Sequence, residues 1–279
     1  MEIPRNDLDD LTYAKELLET PGLAAKITGL FGIPIERGFE LLPGKWPQVV
    51  REAAIASLRK ALDFAVMTMS DRPRVRSSDF IHKIMVSATG AAAGALGFPA
   101  LSVELPVSTM IMLRSIADVA RSEGEHIRLM ETKLACLEVF ALGGKSPADD
   151  ATKAGYFAVR VALAGAVSDA VKYIAERGLV EEGAPVFVRL ISKIAARFSL
   201  VVSEKAAAQA VPVIGAAGGA LINAIFMDHF QDMARGHFIV RRLERIYGTG
   251  EVRRQYEKLK EDLRGIHARK HRYTHRGDL

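Results

Sequence analysis

The sequence predicts an all-α fold, a compact multi-helix bundle with two central Gly/Ala-rich helices. Three observations carry that prediction. Apolar residues recur at helical spacing, as in Val50, Ala54, Leu58, Ala61, Leu62 and Ala65, with Arg51, Glu52, Arg59 and Lys60 on the other side. No stretch shows the period-two alternation between turn signals that marks a half-buried strand. Two tracts carry no charge: Ile84–Val103, 20 residues between Lys83 and Glu104, and Ala206–Met227, 22 residues between Lys205 and Asp228.

Each tract is long enough to cross a bilayer as a helix. Both, however, are built mainly from Gly and Ala, and each contains a proline, Pro99 and Pro212. Their large apolar side chains, at roughly −0.3 to −0.6 kcal/mol each, supply only a few kcal/mol toward insertion. The tracts therefore read as buried helices, in which small residues let neighbouring backbones approach closely.

The elements follow in order. Asp7–Glu19 is a short amphipathic helix closed by Pro21-Gly22, and Leu23–Phe31 and Ile35–Leu42 are short pieces punctuated by Gly32, Pro34 and Pro43-Gly44. A longer helix runs from about Pro47 to Met69, and Asp71–Asp79, with Pro73, is a loop. The first Gly/Ala helix stops near Pro99. Leu105–Arg121 follows, with Pro106 in its first turn. Leu129–Leu142 ends at Gly143-Gly144. Ser146–Asp150 starts a helix that ends at Gly178, and Ala184–Phe198 continues toward Ala210. The second Gly/Ala helix starts around Pro212 and meets no strong breaker before Gly236, so it can extend to Tyr247. Glu251 to about Arg269 is a charged helix fading into a tail. Residues 1–263 are expected to form a single α-helical domain, and residues 264–279 a basic, disordered tail.

Cys136 is the single cysteine and lies in an apolar run, so no intrachain disulfide can form and it reads as a small buried hydrophobe. The N-terminal residues are polar and lack the apolar region of a signal peptide, so a cytoplasmic location is expected. From Arg235 onward the chain holds 13 Lys/Arg against 6 Asp/Glu, a net of +7, whereas the preceding residues nearly balance. The basic character belongs to the last element and its tail.

Three segments make the chain recognisable. Leu105-Pro106-Val107 through Met112-Leu113-Arg114-Ser115-Ile116-Ala117-Asp118-Val119-Ala120 resembles the EcsC protein family, as does Cys136-Leu137-Glu138-Val139-Phe140-Ala141-Leu142-Gly143-Gly144. The strongest likeness is Val211-Pro212-Val213-Ile214-Gly215-Ala216-Ala217-Gly218-Gly219-Ala220-Leu221-Ile222-Asn223, with His229-Phe230 and Gly236-His237-Phe238 downstream. The resemblance covers roughly residues 15 to 258. This bacterial family takes its name from a protein encoded beside an ABC transporter linked to secretion and membrane proteolysis. The likeness implies a membrane-associated accessory role and supplies no reaction.

Residues that could carry chemistry fall in three groups. Glu104, Arg114, Asp118, Asp228 and Asp232 are either structural ion pairs or the lining of one polar pocket. Asp228, His229 and Asp232 stand on one helix at spacings that could hold a divalent metal, although no His-Glu-x-x-His or Glu-x-x-His pair supports it. Arg264, His267, Arg269, Lys270, His271, Arg272, His275 and Arg276 form a basic stretch. It is a solvated tail, a surface attracted to anionic lipid, or a metal-capturing face. Tyr273 offers the tail's one stacking ring, so no nucleic acid is expected. Nothing resembles a nucleophile elbow or a phosphate loop.

The expected function is a non-enzymatic accessory protein at the cytoplasmic membrane face, with a membrane surface or a transporter or protease as partner and no cofactor. The alternatives are a helical metal-dependent enzyme and a binder of lipid or a small hydrophobe beside the Gly/Ala helices.

Overall fold

The computed structural model describes residues 3–19, 22–32, 34–68, 101–144, 155–177, 184–211 and 215–259. Among them are ten helices and no strand, as the helical spacing predicts: α1 (Arg5–Glu19), α2 (Leu23–Phe31), α3 (Glu36–Glu40), α4 (Trp46–Thr68), α5 (Leu101–Ser122), α6 (Met130–Leu142), α7 (Tyr156–Arg177), α8 (Pro185–Ala210), α9 (Gly215–Tyr247) and α10 (Thr249–Lys258). Most of the first uncharged tract, Ile84–Ala100, lies outside the described residues, as do the helix start at Ser146–Asp150 and the tail.

One boundary differs instructively. α5 is already helical at Leu101, a turn before the expected start, and carries Pro106 inside it. Proline lacks the N–H that would bond to the carbonyl four residues back. That removes a single bond, and the helix continues through it.

α9 is the spine. Its 33 residues span about 50 Å at 1.5 Å per residue, and it touches α1, α2, α5, α6, α8 and α10. α6 is buried from Thr132 through Leu142, as a helix without a polar face must be. Where α6, α8 and α9 meet, the rings of Phe140, Phe198, Phe226 and Phe230 stack edge-on or tilted at centroid distances of 5.1–6.4 Å. Cys136 is wholly buried in this region, and burial pushes its thiol far above the ordinary range. Among the described residues no helix is long and apolar enough to cross a membrane.

α1 lies against α9 at Gly236. A Cβ there would stand 2.7 Å from Leu18 Cγ and 3.0 Å from the Ala14 carbonyl oxygen. Gly236→Leu should therefore push the two helices apart and cost 1–3 kcal/mol or more, the usual range for overpacking. The same change at Gly165, where an added Cβ meets nothing within 4 Å, should cost little. Equal urea midpoints for both variants would show that α1 does not touch α9 at this crossing.

Candidate functional site

Two of the four charges that bound the uncharged tracts are each other's partners. Glu104 closes the first tract in the sequence and Lys205 opens the second. In the fold Lys205 Nζ lies 2.6 Å from Glu104 Oε1, with the two side chains 0% and 4% exposed. Asn223, within the second tract, donates from Nδ2 to the same oxygen at 3.2 Å. The Lys205 ammonium also sits 4.8 Å from the centroid of the Phe226 ring. This knot ties α5, α8 and α9 together. An uncompensated charge here would be expensive, and three groups share the compensation.

The other predicted residues are spread along the helices. Asp118 pairs with Arg121 one turn on, while Arg114 is exposed with its guanidinium 5.9 Å from the Phe64 ring centroid. Glu104 and Asp118 stand fourteen residues apart on one helix, about 21 Å along its axis, so they cannot line one small pocket. Asp232 accepts from Lys26 of α2 at 3.0 Å, and Asp228 is half-buried.

His229 is 2% exposed, and its Nε2 donates to the Gly143 carbonyl at 3.0 Å. Burial, then the Lys26 charge, lowers its pKa to about 4, against the opposing pull of the Gly143 bond and of Asp232 and Asp228. The alternative metal set of Asp228, His229 and Asp232 is not grouped as a site among the described residues. His229 is turned to a backbone carbonyl, Asp232 is tied to an ammonium, and among the described residues no three His, Cys, Asp or Glu side chains are grouped to hold a metal ion. The basic stretch from Arg264 to Arg276 lies outside the described residues.

A denser polar cluster sits between α6, α7 and α9, unforeseen in the sequence. Tyr156 Oη and His237 Nδ1 share a hydrogen bond of 2.9 Å. Arg160 donates to Glu244 at 2.8 Å, and Arg241 donates to Glu125 at 2.9 Å. The Arg160 guanidinium lies 5.4 Å from the Tyr156 ring centroid. Glu138 enters from α6, and burial raises its pKa to about 7 although Arg160 and Arg241 oppose the shift. Burial, then Arg160 and Arg241, holds His237 well below its ordinary value. The spacings alone (Tyr156/Arg160 at i, i+4; His237/Arg241/Glu244 at i, i+4, i+7) mark two polar faces. What brings them to Glu138 is tertiary packing.

The sequence model of the EcsC protein family matches residues 34–243, more than half of the chain. The chain belongs to the EcsC protein family. No curated protein matches it, and no solved structure does. The EcsC span is narrower than the resemblance read from the sequence. It contains the Glu104–Lys205–Asn223 knot, His229 and Asp232, and the cluster around Glu138 as far as Arg241. α1 and α10 lie outside it, yet in this EcsC chain α1 is built into the core. Lys15 Nζ donates to the Tyr256 carbonyl at 2.9 Å, and Arg242 joins Asp10 at 2.7 Å to Glu123 at 2.8 Å.

Proposed function

We propose that this EcsC chain is a non-enzymatic accessory protein that works at the cytoplasmic face of the membrane, with a transporter or membrane protease as its partner. The observation that supports this reading is the use made of the singled-out charges. Glu104, Asp118 and Asp232 are each committed to a cation that holds helices or helix turns in place. Groups so tied are poorly placed to bind a substrate or move protons. The family's association with a transporter supplies the membrane context. In the same reading residues 1–263 are one helical domain, and the tail adds attraction to anionic headgroups. Truncation after Leu263 should then remove the salt-sensitive part of any vesicle binding and leave the melting temperature unchanged.

The test is chemical crosslinking in intact cells followed by membrane fractionation. Sedimentation with membranes and crosslinking to an integral transporter or protease is the expected result. A chain recovered wholly apart from membranes, with no crosslinked membrane protein, would contradict it.

A further inference from the structure

Glu138 stands apart in the cluster between α6, α7 and α9. It is 7% exposed, yet among the described residues its carboxyl has no hydrogen-bond partner. Two guanidiniums act on it, Arg160 from α7 and Arg241 from α9, while the carboxylates of Glu131 and Glu244 oppose them. Both guanidiniums are engaged elsewhere, Arg160 with Glu244 at 2.8 Å and Arg241 with Glu125 at 2.9 Å. A neutral Glu138 suits this arrangement. An ionised one does not, because a buried charge without a donor is expensive.

The two engagements differ in how much depends on them. Among the described residues Glu244 is held by Arg160 alone. Glu125 accepts from Arg241 Nε at 2.9 Å and Nη2 at 3.4 Å, from Arg245 Nη1, and from Thr132 at 3.1 Å. If Arg241 leaves, Glu125 keeps a cation and a hydroxyl, so Arg241 is the guanidinium that can change partners. The other groups around α6 are placed otherwise. Tyr156 and His237 are bonded to each other, Arg121 of α5 pairs with Asp118, and Arg197 of α8 donates to the Ala141 and Gly144 carbonyls. α4 exposes Arg51, Glu52, Arg59 and Lys60 and half-buries Asp63, and α6 itself adds buried Lys133.

Glu125 lies in the connection between α5 and α6. Its N–H donates to the Ala120 carbonyl at 3.0 Å, and Arg241, Arg242 and Arg245 of α9 tie this connection down.

We propose that Glu138 works a proton-operated latch: protonated, it leaves Arg241 on Glu125, and ionised, it draws Arg241 to itself and loosens the connection between α5 and α6. The proton goes to water, and the guanidinium exchanges one carboxylate for another. Burial holds the Glu138 pKa at about 7, so the latch turns in the neutral range. The device is independent of the membrane-face reading.

The test is hydrogen exchange of the full chain at about pH 5.5 and about pH 8.5, with each rate divided by that of the same sequence unfolded at that pH. In the wild type, protection of residues 123–129 should fall by about tenfold at the higher pH, as the loss of one charged hydrogen bond implies. Glu138→Gln cannot ionise and should keep the low-pH protection at both values. Arg241→Gln should show the weaker protection at both. His126 is exposed in the same connection and common to all three proteins, so the differences between them read the latch. Wild-type protection that does not change with pH, or a pH dependence in Glu138→Gln equal to that of the wild type, would overturn the proposal. Glu138→Gln decides alone if Arg241→Gln fails to fold.

Discussion

Lys205→Met is expected to cost about 3–5 kcal/mol of stability, the range for breaking a buried pair on one side. Methionine keeps most of the apolar stem that lies against Phe226 but removes the ammonium. Glu104, 6% exposed, is then left with Asn223 as its neutral hydrogen-bond donor. The free energy of unfolding in urea measures the effect. A loss below about 1 kcal/mol, the ordinary value for surface pairs, would show that water reaches this knot freely.

The second large effect is a dependence of stability on pH that separates by residue. An unfolded histidine titrates near 6.5, whereas folded His229 holds off its proton until about pH 4. The folded state thus binds fewer protons in this window, and His229 withdraws stability as pH falls from 6.5 toward 4, by about 3 kcal/mol in all. Glu138 acts in the opposite sense. Its carboxyl, ordinarily near 4.5, stays protonated in the fold up to about 7. Its contribution is complete below 4.5 and is lost as pH rises through 7. Glu138→Gln should therefore gain on the wild type between pH 4.5 and 8, by about 3 kcal/mol, and His229→Gln should gain on it between pH 6.5 and 4. A difference between either variant and the wild type that stays flat across its window would refute the corresponding assignment.

Local chemistry was legible in this chain, and long-range chemistry was not. The ends of α2 and α6 follow from Gly32 and Gly143, because breakers and caps act within a turn. Pro106 misled because the helix runs through it, already formed at Leu101, at the loss of one backbone bond. Arg114 and Arg121 stand four and three residues either side of Asp118, and the fold joins Asp118 to Arg121 and leaves Arg114 exposed near Phe64. Both spacings face the same way on a helix, and spacing cannot choose between them. Glu104 and Lys205 are 101 positions apart. Their shared role could be glimpsed only in that each bounds an uncharged tract. The cluster of Glu138, Tyr156, Arg160 and His237 left no such trace, since three separate helices bring it together.

The central claim is that these charges are structural couplings between helices, and a double-mutant cycle on Glu104 and Lys205 tests it most directly. Glu104→Leu and Lys205→Met are measured singly and together by urea denaturation. A double variant less destabilised than either single one, with a coupling of about 2 kcal/mol or more, is the predicted result. Losses that simply add would mean the two residues act independently and would contradict the claim.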